Sequence, residues 1–119
     1  MSRFSEEVCF LLTEIFPRMK IRREDYVLYE GQKLFLDIWL PQLSLVVEVH
    51  GRQHDEFVEH FHNTAENFRA AKRRDRIKEE WATLNGHTYV VLREKDFPLT
   101  KEKLLDIIDA ASRHNEQSE

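Results

Sequence analysis

The segment Leu34–Val49 reads LFLDIWLPQLSLVVEV and consists of two apolar runs separated by Pro41-Gln42. The length and composition of each run are typical of a buried strand, and the proline between them predicts a turn. One acid interrupts each run, Asp37 in the first and Glu48 in the second. Burying an unpaired carboxylate costs free energy. The segment therefore predicts a pair of strands and a functional site within them.

The residues on either side of this segment extend the strand pair to a mixed α/β domain. The predicted elements, in order, are a helix with Ser5 as its N-cap and Pro17 at its end, strands at 26–29, 34–40 and 43–49, a helical stretch at about 56–85, a strand at 88–93 and a helix after Thr100. This order, α-β-β-β-α-β-α, predicts a mixed central sheet flanked by helices, with a helical crossover before the last strand.

The composition is typical of one globular domain covering residues 1–119. Hydrophobic residues make up 41% of the chain and charged residues 34%. The tail is expected to fray from about residue 113. The single cysteine, Cys9, cannot form an internal disulfide, and we recognise neither a secretory leader nor an apolar run of membrane-spanning length. We therefore expect an intracellular, cytoplasmic protein that is not secreted and has no membrane partner.

The charge distribution matters more than the net charge of -4, which by itself disfavours binding to nucleic acid. Six basic residues fall within ten positions, opposed only by Asp75; they are Arg69, Lys72, Arg73, Arg74, Arg76 and Lys78. A run of this kind is often a solvated helix face. The alternative is a surface for DNA phosphates, with contacts from Lys72, Arg73, Arg74 and Arg76.

Asp37 and Glu48 converge on one side of the sheet if their strands pair across the Pro41 turn. Adjacent anions repel each other, and a divalent metal ion with oxygen ligands relieves that repulsion. Such an ion lowers the pKa of a bound water and stabilises charge on a phosphodiester. The alternative is that each acid forms a structural ion pair with a lysine or arginine.

Several short motifs together resemble the PD-(D/E)XK nuclease superfamily. Asp37, followed eleven residues later by Glu48-Val49-His50, resembles the D…(D/E)XK signature. The segment EVHGRQH at Glu48–His54 resembles the E-L-D-G-x-x-H stretch of small domains related to very-short-patch repair endonucleases. Further matches to those domains are Ser5-Glu6-Glu7, which resembles their opening motif, and Asp75, Lys78, Gly86 and Val90–Arg93, which resemble their D-x-x-R…G…V-x-R ending.

The resemblance implies a restriction-endonuclease-like sheet, a Mg²⁺ or Mn²⁺ cofactor and hydrolysis of DNA. The implied metal ligands are Asp37, Glu48, the backbone carbonyl of Val49, and Glu7 from the first helix, where Glu6 or Glu14 are alternatives to Glu7.

The histidines carry the other predicted roles. His50 stands where the superfamily has its lysine, and we expect it to assist the attacking water or the phosphate; Lys72 is the rival source of the missing cation. His54 and Gln53 are expected to contact phosphate or take part in acid–base chemistry, with turn-stabilising hydrogen bonds as the alternative. Structural zinc is disfavoured because only Cys9 accompanies the histidines. His60 and His62 suggest a ββα-metal nuclease only weakly, and exposed helix positions are preferred for them.

The function predicted from these residues is that of a divalent-metal-dependent DNA endonuclease in repair, recombination or genome processing. A nickase acting at mismatches or specific sites is one version. A Holliday-junction or branched-DNA-resolving enzyme, which must act as a homodimer, is the other. A non-catalytic DNA-binding module with a decayed site is the alternative of another class. The missing motif lysine supports that alternative, and the retained acids Asp37 and Glu48 oppose it.

Overall fold

The computed structural model describes residues 3–51 and 64–117. The helices are α1 (Arg3–Ile15), α2 (Ala65–Leu84) and α3 (Lys101–Gln117), and the strands are β1 (Arg22–Tyr29), β2 (Gln32–Leu40), β3 (Leu45–His50) and β4 (Thr88–Arg93). Short 3-10 turns follow β2 and β4, at Pro41–Leu43 and Glu94–Asp96. The order of these elements confirms the predicted α-β-β-β-α-β-α arrangement and the α/β fold class.

The strands form a four-stranded sheet in the order β1-β2-β3-β4. β1 and β2 are antiparallel and joined by Glu30-Gly31, whose φ angles of 50° and 79° suit the two-residue turn of a tight hairpin. β2 and β3 are antiparallel across the proline turn, whereas β4 runs parallel to β3. A parallel neighbour needs a crossover connection, and α2 lies in it.

The sheet separates two groups of buried side chains. The larger group joins the sheet to α1 and α3, and it includes Val8, Leu12, Ile38, Leu40, Val47, Val90, Leu92 and Leu104. The smaller group joins the sheet to α2 and consists of Leu34, Leu36, Val46, Trp81 and Ala82. Side chains two apart on a strand share a face. Glu48 and His50, which follow Val46 on β3, therefore face α2.

Several boundaries differ from those predicted. Ser5 lies inside α1 and is buried rather than being its N-cap, because the helix already includes Phe4, whose ring stacks on Phe97 with 4.3 Å between centroids. β1 begins at Arg22, since its charged first residues pair with β2. α2 begins after Thr64, which caps it by accepting from the Asn67 amide, and the earlier helical residues predicted at 56–63 lie outside the described ranges. α3 continues to Gln117, beyond the fraying expected from about residue 113.

The inward-facing side chains of β2 switch from one side of the sheet to the other at Asp37. Leu36 packs with the residues under α2, whereas Ile38 packs with those under α1 and α3. In the sequence, Leu36, Ile38 and Leu40 alternate with Phe35, Asp37 and Trp39, which predicts one shared face for the first three. That prediction is wrong because the strand rotates between Leu36 and Ile38. Opposite this point in the β1 register stands Glu24, with a φ of 50° in the left-handed region that is uncommon for residues other than glycine.

Candidate functional site

Asp37 and Glu48 meet at the point where β2 and β3 part. The ladder between these strands runs from Leu40–Leu45 to Ile38–Val47, and the same register continued would set Asp37 opposite Glu48. Side chains replace the backbone bonds there. The Asp37 amide donates to Oε2 of Glu48 at 2.7 Å, and the Val49 amide donates to Oδ2 of Asp37 at 2.9 Å. The two carboxylates therefore terminate the ladder and face each other across it.

Glu48 is the more deeply buried of the two acids, at 1% exposure. Besides the Asp37 amide it contacts Lys78 of α2, whose Nζ lies 3.0 Å from Oε1. The hydroxyl of Tyr89 on β4 lies 3.5 Å from the same oxygen, at the long end of hydrogen bonding. Asp37 is half-buried, so one edge of the pair is open to solvent.

The environment of Glu48 shifts its acid–base equilibrium. Burial raises the pKa of this carboxyl above its ordinary value, and the neighbouring charge of Asp37 raises it further, while Lys78 acts in the opposite direction. Burial also raises the pKa of the Tyr89 phenol well above its usual range, with the charge of Glu48 as the next cause. Tyr89 therefore remains a hydrogen-bond donor at neutral pH.

The carboxylate oxygens of Asp37 and Glu48 are the type of ligand that hard divalent cations such as Mg²⁺ prefer. Two carboxylates converge, and burial together with the neighbouring charge of Asp37 raises the pKa of Glu48, a cost that a bound cation would offset. Among residues 3–51 and 64–117, no group of three or more His, Cys, Asp or Glu side chains is arranged to hold a metal ion. The further protein ligand that the resemblance implies is the backbone carbonyl of Val49, and water would complete the coordination.

The acids of α1 are not brought to Asp37 and Glu48. Oε2 of Glu7 accepts from the Leu99 amide at 3.3 Å and so ties α1 to the residues just before α3. Glu6 forms an ion pair with Arg23. Glu14 lies exposed near the end of α1. Glu6 and Glu7 thus contact Arg23 and the Leu99 amide, and the metal-binding role that the resemblance implies for an acid of α1 stays a prediction.

His50 forms part of a separate polar cavity beside the carboxylate pair. The cavity has a volume of about 170 Å³ and lies between α2 and the ends of β3 and β4. Its walls are His50, Lys72, Asp75, Arg76, Glu79, Tyr89, Val91 and Arg93. Tyr89 belongs both to this wall and to the surroundings of Glu48. The structure thus brings the predicted residues His50 and Lys72 together, at 4% exposure for the histidine.

The four predicted phosphate contacts do not form one uniform surface. Lys72 and Arg76 line the cavity, whereas Arg73 and Arg74 are exposed on α2 outside its walls. Gln53 and His54 lie outside the described residues.

Two residues that the structure places against Glu48 had no role predicted from the sequence. In the sequence, Lys78 only aligned with the arginine of the D-x-x-R motif, and Tyr89 was only one residue of a predicted strand. A usable signal did exist for Lys78, because it lies next to Ile77 and three residues before Trp81, at the margin of the helix face that packs on the sheet. The expectation that Lys72 supplies the cation missing from the motif has a structural competitor in Lys78.

Comparison with known proteins gives a limited result. No protein-family model matches the chain, and no solved structure matches it. Over 67 residues, or 55% of the chain, the sequence is 37% identical to Uncharacterized protein 307L of Invertebrate iridescent virus 6. The match covers 34% of that protein, so the chain spans about a third of the length of this curated relative. In the part of the chain that the structure describes, no helix is both long and apolar enough to cross a membrane. The chain is thus similar to part of a viral protein whose name states no activity.

Proposed function

We propose that this chain is a divalent-metal-dependent DNA endonuclease of the PD-(D/E)XK type, with its centre at Asp37 and Glu48. The observation that carries the proposal is the reciprocal pairing of these two side chains with the Val49 and Asp37 amides, where the sheet opens. A structural acid needs only a counter-charge. Two acids that end a β-ladder and face each other form a preorganised oxygen site at a rigid position.

The roles of the residues follow from their positions. Asp37 and Glu48 would hold Mg²⁺ or Mn²⁺, with the Val49 carbonyl as a further ligand. A bound ion would supply a water of lowered pKa and positive charge beside the phosphate. Lys78 balances the charge of Glu48 in the metal-free protein, and Tyr89 donates to the same carboxylate. The cavity beside this centre is lined by Lys72, Arg76 and Arg93 together with Asp75 and Glu79, and its positive balance favours an anionic substrate such as DNA.

The test is incubation of labelled duplex, nicked, flapped and four-way DNA with the full chain in Mg²⁺, Mn²⁺ or EDTA. We expect metal-dependent cleavage of at least one substrate. Asp37→Asn should lower the rate by about 10²-fold or more, because it removes a ligand charge but retains an oxygen that can accept from the Val49 amide. Asp106→Asn, which alters an exposed acid of α3, is the matched control. Cleavage by the Asp37 variant at the rate of the control would refute the assignment.

A non-catalytic DNA-binding module is the second candidate, and one observation favours it. Lys78 already lies within 3.0 Å of Glu48, which is the structural ion pair weighed as the alternative for these acids. The same incubation decides between the two functions. Binding of DNA without cleavage in either metal would support the module, and the four-way substrate separately tests the branched-DNA-resolving homodimer.

A further inference from the structure

We propose that the cavity between α2 and the ends of β3 and β4 is a binding pocket for one phosphate group. The inference rests on the proposed function only in assigning that phosphate to a nucleic-acid strand. The recognition itself requires neither a metal ion nor cleavage.

The pocket is built from two regular elements, which gives it a defined shape. Lys72, Arg76 and Glu79 lie three or four residues apart on α2, so they share one side of the helix. Tyr89, Val91 and Arg93 alternate along β4, so they share one face of the strand. His50 pairs with Arg93 in the parallel β3–β4 register and closes the end of the cavity.

The charges that line the pocket favour an anion. Lys72, Arg76 and Arg93 contribute three permanent positive charges, while Asp75 and Glu79 contribute two negative ones. The local balance is therefore positive in a chain whose net charge is -4. Guanidinium groups suit phosphate oxygens because they offer several donors in one plane. A water molecule takes roughly 30 Å³ of liquid, so a cavity of about 170 Å³ has room for a phosphate group with a few waters.

The position of the pocket identifies which phosphate it would hold. Tyr89 stands between the cavity and Glu48, with its hydroxyl 3.5 Å from the carboxylate. A phosphate in the pocket therefore lies beside the carboxylate pair rather than on it. The pocket would hold a phosphate next to the one at the reacting centre and so set the register of the strand.

The test measures binding by the full chain in EDTA, using inorganic phosphate and a short oligonucleotide with or without a 5′-phosphate. We expect saturable binding of inorganic phosphate, with Kd on the order of millimolar. Arg93→Gln and Arg76→Gln should each weaken it about tenfold. The matched control is Arg18→Gln, at an exposed site away from the cavity. Arg76 is exposed on α2, so its variant tests the pocket even if Arg93→Gln fails to fold.

The oligonucleotides separate the two sources of phosphate. If the pocket accepts a strand end, the 5′-phosphorylated oligonucleotide should bind about tenfold more tightly than the unphosphorylated one. If the pocket accepts a backbone diester, both oligonucleotides should bind with the same affinity, and Arg93→Gln should weaken the binding of both. Arg69→Gln, at an exposed position on the same helix outside the cavity and not among the predicted DNA contacts, should change affinity less than about twofold. An effect as large as that of Arg76→Gln, or no saturable binding of any of the three probes, would overturn the pocket.

Different results would refute the phosphate pocket and the proposed nuclease activity. Asp37→Asn should bind phosphate as the unmodified chain does. Phosphate binding by a protein that cuts no DNA in either metal would sustain the pocket and refute the nuclease. Metal-dependent cleavage without phosphate binding would support the nuclease and refute the pocket.

Discussion

Replacing Lys78 with methionine tests the electrostatics of the site directly. Glu48 is 1% exposed and the Lys78 side chain 16% exposed, so the pair is largely removed from water. Breaking a buried ion pair by removing one partner costs about 3–5 kcal/mol. Because Lys78 is partly exposed and the Asp37 amide still donates to Glu48, we expect about 3 kcal/mol at pH 8, or a fall in Tm of about 10 °C.

The dependence of this destabilisation on pH identifies its cause. The pKa of Glu48 is already raised in the unmodified chain, and removing Lys78 takes away the group that opposes the increase. A carboxyl whose folded pKa exceeds its unfolded value, about 4.3 for glutamate, lowers stability as pH rises between the two values. The penalty should therefore be larger at pH 8 than at pH 5, because protonation of Glu48 removes the unpaired charge.

Urea denaturation in EDTA at both pH values measures the free energy of unfolding. Lys101→Met, which alters an exposed lysine, is the matched control and should stay within about 0.5 kcal/mol of the unmodified chain. The double variant Lys78→Met with Glu48→Gln should recover most of the stability, because no buried charge is left unpaired. A destabilisation that is the same at pH 5 and pH 8, and persists in the double variant, would refute the electrostatic account and leave impaired packing as the cause.

Two further predictions concern the residues around the cavity. His50→Ala should lower the rate of DNA cleavage by about 10²-fold, whereas His50→Lys should retain activity. If His50→Ala cleaves at a near-normal rate and Lys72→Ala is inactive, Lys72 rather than His50 assists the attacking water or the phosphate. Reversing the charges of Lys72, Arg73, Arg74 and Arg76 should weaken DNA binding and flatten the slope of log Kobs against log salt by about 0.9 for each phosphate that the protein no longer neutralises. An unchanged slope would mean that these side chains do not contact DNA phosphates.

The order of helices and strands was predictable because local patterns determine it. The apolar runs of the strands, the Glu30-Gly31 turn and the turn at Pro41 each depend on a few neighbouring residues, and all three are present in the structure. The rotation of β2 at Asp37 was not predictable in the same way. At that point the side chain of Glu48, eleven residues later, takes the place of a backbone acceptor for the Asp37 amide. Periodicity assumes a regular strand and cannot reveal such an exchange.

The candidate site was predictable only to the level of its two central acids. An acid inside an apolar strand is visible in the sequence, and Asp37 and Glu48 are indeed neighbours in the structure. Lys78 was harder to assign because the sequence holds several lysines and arginines nearby, and the phase of α2 against the sheet selects among them. The placement of Glu7 depended on how α1 meets the Leu99 amide, a contact between residues 92 positions apart.

The exchange of backbone partners at the end of the β2–β3 ladder makes two amide protons into spectroscopic reporters. The Asp37 proton is bound by the Glu48 carboxylate, and the Val49 proton by the Asp37 carboxylate. Any cation, proton or substituted side chain that draws either carboxylate away alters the hydrogen bond of a specific amide. The chemical shifts and exchange rates of these two protons therefore follow the state of both acids at once, in a protein that need not be turning over a substrate.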